Sequence, residues 1–205
     1  MLVIGLTGGV ASGKTTVSNI LKSLGVILIN ADLIGHRTYE KGTDCYHKLI
    51  EQFGNTIVAE NGEINRRRLG DLVFSDKSKM NELTGIVWPA IRKMLIKELD
   101  DIRSTVKAGD SPPIVALEAA VMIEAGWTDL VSTLWVIHME RDVAKGLLMT
   151  RNNLSTEEAS KRIDSQMSNE ERCKQASHIL YNNGSLDQLE AETHRLFRDL
   201  TGPDK

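Results

Sequence analysis

The chain opens on Leu2-Val3-Ile4-Gly5-Leu6, a continuous apolar run that ends in Thr7-Gly8-Gly9. A run without polar alternation predicts a strand buried on both faces, as in a parallel sheet. Val17, Ile20, Leu21 and Leu24 then recur at helical spacing up to Gly25, a residue suited to a left-handed helix stop. Val26-Ile27-Leu28-Ile29 predicts a second buried strand, so this first segment reads as one βαβ unit. Runs at 114–117 and 134–138, and a weaker one at 178–181, predict further strands separated by helical stretches. Alternation of this kind implies an α/β layered fold.

The stretch between the second and third strands is long and mainly helical. It sets Tyr46, Leu49, Ile50 and Phe53 on one face, and Trp88-Pro89 marks a loop leading into a long helix over about 89–106. Such an excursion is expected to carry substrate-specific surface. Ser155-Thr156-Glu157-Glu158 is a capping box that opens a polar helical stretch, scattered with Lys161, Arg162, Arg172 and Lys174 and suited to a mobile lid. Leu186, Leu189, Leu196 and Leu200 give a final amphipathic helix, and Gly202-Pro203-Asp204-Lys205 reads as a frayed tail.

Composition narrows the function classes. With 28 acidic against 25 basic residues and a net charge of −3, there is no overall positive field to hold a nucleic-acid backbone. No apolar run approaches the ~20 residues of a membrane span, and a soluble cytoplasmic chain is expected, a monomer or a weak homo-oligomer. Cys45 and Cys173 lie far apart in no ligand pattern, which argues against a disulfide scaffold. His36, His47, His138, His178 and His194 are dispersed and make no zinc spacing.

The candidate chemistry starts at Gly8-Gly9-Val10-Ala11-Ser12-Gly13-Lys14-Thr15, which fits G-x-x-x-x-G-K-[ST] between a predicted strand and a predicted helix. Glycines there let backbone N–H groups wrap a phosphate chain, and the helix points its positive end at the anion. Lys14 serves the β and γ phosphates, and the Thr15 hydroxyl suits Mg²⁺. ATP or GTP binding follows. The N-K-x-D tetrapeptide by which a GTPase reads guanine is absent, and Asp32-Leu33-Ile34-Gly35 comes too early for a GTPase switch.

Asp32 stands at the carboxyl end of the second strand, where ligands gather in an open parallel sheet. A carboxylate there accepts a proton from an acceptor hydroxyl; its plain alternative is a helix N-cap. Glu118 closes a Walker-B-like strand and suits water-mediated Mg²⁺ binding, or a loop carboxylate. Arg66, Arg67 and Arg68 can grip phosphates bidentately or form a solvated helix face. Arg151 borders the proposed lid, a place from which charge reaches a migrating phosphoryl group. On packing grounds alone Trp88, Trp127 and Trp135 are core residues.

Taken in order, these blocks resemble dephospho-coenzyme A kinases over nearly the whole length. The resemblance runs through Gly5-Leu6-Thr7-Gly8-Gly9, Asp32, Gly62-Glu63-Ile64-Asn65-Arg66-Arg67, Trp88-Pro89, the stretch from Glu118 to Glu124, Arg151 with Leu154-Ser155, Gln166, and Asn182-Asn183-Gly184. Gly35-His36-Arg37, Trp88-Pro89 and Glu124-Ala125-Gly126-Trp127 look most like the kinase domain of animal bifunctional coenzyme A synthases. Many bacterial members have Asp at Asn30, His-Pro at Trp88-Pro89 and Pro-Leu-Leu at Ala120-Val121-Met122.

The resemblance implies a three-layer P-loop kinase fold with a five-stranded parallel sheet. Its core would fall at 1–34, 108–149 and 177–205, a helical acceptor-binding insertion at about 35–107, and a small helical lid at about 150–176. It also implies transfer of the ATP γ-phosphoryl group to the ribose 3′-hydroxyl of dephospho-coenzyme A. Lys14, Asp32 and Arg151 would then be catalytic, and Gly8, Gly9, Val10, Ala11, Ser12, Gly13, Lys14, Thr15 and Thr16 would bind ATP, with Asn183 and Gly184 by the adenine. Substrate binding would fall to His36, Arg66, Arg67, Trp88 and Glu124, and Mg²⁺ to Thr15 and Glu118. The rival readings are a P-loop kinase for another small acceptor, such as a nucleoside monophosphate, and a non-catalytic nucleotide-binding regulator.

Overall fold

The computed structural model describes residues 1–74 and 76–202. Its elements run β1 (Leu2–Gly8), α1 (Lys14–Ser23), β2 (Ile27–Asn30), α2 (Ala31–Thr38), α3 (Asp44–Phe53), α4 (Arg66–Phe74) and α5 (Lys77–Ser104). They continue with β3 (Ile114–Glu118), β4 (Thr133–His138), α6 (Arg141–Asn152), α7 (Thr156–Asp164), α8 (Asn169–Cys173), β5 (His178–Tyr181) and α9 (Leu186–Thr201). The expected frayed tail falls, from Pro203 on, outside the described residues. The chain divides into two compact units: Met1–Ile29 together with the chain from Val106 onward, and Asn30–Thr105.

The first unit is built on a five-stranded sheet in the order β2-β3-β1-β4-β5. β1 pairs in parallel with both β3 and β4, and β4 pairs in parallel with β5. β3 therefore separates β1 from β2, so the first βαβ crossover skips one strand. Ile4 and Leu6 of β1 pack with Val17 and Leu21 of α1, Trp135 and Ile137 of β4, and Leu196 and Phe197 of α9. Each such large apolar side chain contributes ~1.5–3 kcal/mol by leaving water, which is why an unbroken apolar run folds as a central strand. On the opposite side Gly5 lies under Met122 and Val131, where an added Cβ would meet Met122 Sδ at 2.7 Å.

The second unit is helical. Cys45, Tyr46 and Leu49 of α3, Leu69 and Val73 of α4, and Ile57 and Ile64 form its core, with Met80, Leu83, Val87 and Ala90 of α5 against it. Among the described residues no helix is long and apolar enough to cross a membrane.

Two local expectations are corrected. The long helix does not start at Pro89; it starts after Asp76, whose carboxylate accepts from Ser78 N and Lys79 N, and carries Pro89 inside. Its apolar positions continue unbroken through the proline, ending in buried Ile91, Leu95 and Leu99, so tertiary burial outweighs the ~3 kcal/mol interior cost of proline. Gly85, whose carbonyl loses its partner, is exposed and so leaves that oxygen to water. Pro89→Ala is accordingly expected to raise stability by about 1–2 kcal/mol after the unfolded-state entropy offset. Urea unfolding checks this, and a lowered midpoint would show that the proline is required there.

The second correction concerns the cap of α2. Asn30 is the N-cap, its Oδ1 accepting from Leu33 N at 3.0 Å, so Asp32 sits inside the first turn.

Candidate active site

The glycine-rich segment folds as a compact turn between β1 and α1. Gly13 (φ 97°) and Ala11 (φ 61°) both take left-handed backbone, the kind of conformation from which anion-binding loops are built. Ala11 pays ~1–2 kcal/mol for this, a cost that marks the loop as a built cradle. A side chain at Gly8 would meet Ile137 O and Ser12 Oγ, each at 2.6 Å. At Gly13 it would collide with Asn182 Nδ2. No side chain caps α1 and no acid lies in its first turn, so its positive end is open to an anion.

Lys14 Nζ donates to Gly8 O at 2.8 Å and Gly9 O at 3.1 Å, folding the ammonium back over the loop. Thr15 is exposed beside it, and Thr16 is half-buried. Glu118 is buried at the end of β3, level with Leu6, and its Oε2 accepts from Ser18 Oγ at 2.8 Å. One hydroxyl and one carboxylate, oxygen donors only, suit Mg²⁺, which takes few protein ligands and relies on water and substrate phosphates.

Asn182 Nδ2 donates to Ser12 O at 2.9 Å, tying the cradle to the end of β5. Asn183 Oδ1 accepts from Glu140 N at 2.9 Å, at the start of α6, and Gly184 precedes the capped start of α9. Arg151 is exposed near the end of α6, its Nε donating to Asn152 Oδ1. A cleft of about 360 Å³ adjoins the cradle, walled by Gly9, Val10, Ser12, Gln166, Asn169 and Arg172; Arg151 does not line it. Glu124, expected on the substrate side, pairs with Arg172 at 3.3 Å.

The segment expected to form a lid holds two capping boxes. Ser155 N donates to Glu158 Oε2 at 2.8 Å, and Ser168 N donates to Glu171 Oε2 at 3.2 Å. The serine contacts hold both glutamates below the usual carboxylate range. Because the folded value is lowered, each box contributes fully above the ordinary value of 4.5 and is lost as pH falls through the folded one. The protection of α7 amides, corrected for the intrinsic pH dependence of exchange, is therefore expected to fall from about pH 5 to about pH 3, and Glu158→Gln, which keeps the box without the titration, to remove that dependence. Equal acid sensitivity in both proteins would detach it from the box. Arg141 adds a two-pronged contact from α6 to Asp164 of α7, lowering that carboxyl.

In the helical unit, Asp32 and His36 are exposed one turn apart on α2. His36, Tyr39, Lys41, Glu63 and Arg66 line a cleft of about 680 Å³. The Arg66 guanidinium lies 5.8 Å from the Tyr39 ring centre. Burial raises the Tyr39 hydroxyl, with Arg66 working against it. Arg67 is exposed on the same turn of α4, and Trp88 is half-buried in α5.

The family model described as dephospho-CoA kinase matches residues 2–188, across both units. The chain belongs to the dephospho-CoA kinase family. The dephospho-CoA kinase of Bacillus licheniformis is 38% identical over 195 residues, covering 95% of this chain and 94% of that protein. A Thermus thermophilus protein of known crystal structure superposes with a TM-score of 0.78 at 31% identity, covering 98% of each chain. The dephospho-CoA kinase of Campylobacter jejuni gives a TM-score of 0.71 at 26% identity, over 99% of this chain and 98% of that one.

Beyond the positions expected from sequence, four more side chains hold the cradle and its flanks. Ser18 fixes Glu118, Asn182 fixes Ser12, Gln166 Oε1 accepts the cradle's own Val10 N–H at 2.8 Å, and Arg172 is buried against Glu124. Gln166 and Asn182 lay inside recognised family blocks. Ser18 and Arg172 carried no signal apart from a polar residue in each helix.

Proposed function

We propose that this dephospho-CoA kinase family member transfers the γ-phosphoryl group of ATP to the ribose 3′-hydroxyl of dephospho-coenzyme A, giving coenzyme A and ADP. The supporting observation is that the family match runs through the phosphate cradle and on through the whole helical unit. In the reaction a bond forms between the 3′-oxygen and the γ-phosphorus while the bridging oxygen leaves with ADP. The proton of the 3′-hydroxyl passes to the carboxylate of Asp32. Cradle amides other than those of Val10 and Ser12, which donate to Gln166 Oε1 and Gly9 O, together with the Lys14 ammonium hold the phosphates and offset charge on the migrating group and leaving oxygen. Thr15 and, through water, Glu118 would hold Mg²⁺, which when bound adds charge neutralisation on the phosphates.

Segments 35–107 and 150–176 act as acceptor-binding insertion and lid in this reading, and His36, Arg66, Arg67 and Trp88 bind the acceptor. Asn183 and Gly184 lie by the adenine, and Arg151 joins the phosphates when the lid closes. Closure excludes water and so limits loss of ATP to hydrolysis. Such an enzyme works in the cytoplasm on two small molecules. An acceptor panel tests the assignment: ADP release is expected with dephospho-coenzyme A and not with adenosine monophosphate or shikimate. Preference for another acceptor would move the chain to a different substrate.

A further inference from the structure

Arg172 is a buried cation with an incomplete set of partners. Its side chain is 1% exposed, and its one ion pair among the described residues, Nη2 to Glu124 Oε1, spans 3.3 Å. Arg172 Nε and Glu124 Oε2 are both buried without a hydrogen-bond partner among the described residues. Removing a guanidinium from water costs several kcal/mol, repaid only where geometry is good and the remaining protons are satisfied. One long contact with a donor left over is a poor return, so the pair is not explained by stability.

What the guanidinium faces supplies the explanation. Arg172 Nη1 lies 3.5 Å from where a side chain on Gly9 would begin, so it looks onto the bare α-carbon of the cradle. A second, independent contact from the same segment, Gln166 Oε1 to Val10 N, confirms that residues 166–172 pack on this end of the loop. That end is also identifiable. The lysine of this motif serves the β and γ phosphates, and Lys14 Nζ rests on the carbonyls of Gly8 and Gly9. Gly8 and Gly9 therefore mark the γ end.

We propose that Arg172 is a catalytic residue that contacts the γ-phosphoryl group of ATP, and that Glu124 is the residue that positions its guanidinium. This rests on the kinase reading above, with ATP in the cradle. A guanidinium suits the role because its planar fork meets phosphate oxygens at two points and carries fixed charge where negative charge migrates.

The test uses the full chain. Wild-type turnover is measured first, and its absence would count against the kinase reading rather than against Arg172. Arg172→Gln and Glu124→Gln are then compared with wild type for kcat, for KM of dephospho-coenzyme A, and for affinity toward ADP and a non-hydrolysable ATP analogue. Arg172→Gln is expected to lose about 100-fold in kcat and about tenfold in analogue affinity, with ADP affinity held within about twofold. Added guanidinium ion restores part of its kcat. Glu124→Gln is expected to lose about tenfold in kcat with KM for dephospho-coenzyme A unchanged. A kcat within about threefold of wild type in Arg172→Gln, or equal loss of ADP and analogue affinity, would overturn the assignment. Should Arg172→Gln fail to fold, Arg172→Lys decides: reduced preference for the analogue over ADP supports the contact, and unchanged preference overturns it.

Discussion

Lys14→Ala is expected to lower kcat/KM for ATP by about 10³-fold, or ~4 kcal/mol of transition-state stabilisation. The size follows from what the alanine removes. Backbone amides and the open end of α1 still hold a phosphate chain, so nucleotide binding falls far less than turnover. The mobile point charge on the β and γ oxygens, however, has no substitute inside the loop. The ammonium also bonds Gly8 O and Gly9 O, so part of the loss comes from a loosened cradle. Steady-state kinetics beside ADP affinity separates the two, since a merely loosened loop lowers both together.

Asp32→Asn is expected to lower kcat by about 10²–10⁴-fold with ATP affinity unchanged within about twofold. The amide keeps the size of the side chain and removes its ability to take a proton. Asp32 also sits in the first turn of α2, where losing a negative charge costs ~0.3–1 kcal/mol against the helix dipole. A 10²-fold rate loss is ~2.7 kcal/mol, so a dipole effect is too small to imitate loss of the base. Asn30 holds the cap in the variant as in the parent, which keeps the helix start intact. Turnover equal to wild type would remove Asp32 from proton transfer.

Short-range physics made much of the fold readable. β1 and β4 are near-continuous apolar runs and sit in the sheet interior, while β5, the weakest run, is an edge strand with two exposed residues. The cradle was readable because its lysine, threonine and glycines have fixed spacing and its flanks switch from strand to helix. α5 was not fully readable because local rules place proline at a helix start, whereas burial of Leu95 and Leu99 on one side and Leu83 on the other carries the helix through it. The role of Asn30 as cap was hidden by Asp32 two residues on, which has an equal local claim.

Site residues held by long-range contact were the least readable. Arg172 sits in Asn169-Glu170-Glu171-Arg172-Cys173-Lys174, a stretch whose local pattern is a solvated helix, and only its approach to Gly9 and Glu124 buries it. Asn182 reaches Ser12 across 170 residues. Glu118 and Ser18 are 100 residues apart, and neither identifies the other in sequence.

The most direct test of the whole account is to incubate the purified protein with ATP, Mg²⁺ and dephospho-coenzyme A and locate the added phosphate by mass and phosphorus resonance. ADP and coenzyme A are expected in equal amounts and at enzymatic rates, with the coenzyme A phosphorylated at the ribose 3′-oxygen. ADP without coenzyme A, phosphate on another oxygen, or nucleotide binding with no turnover would contradict it.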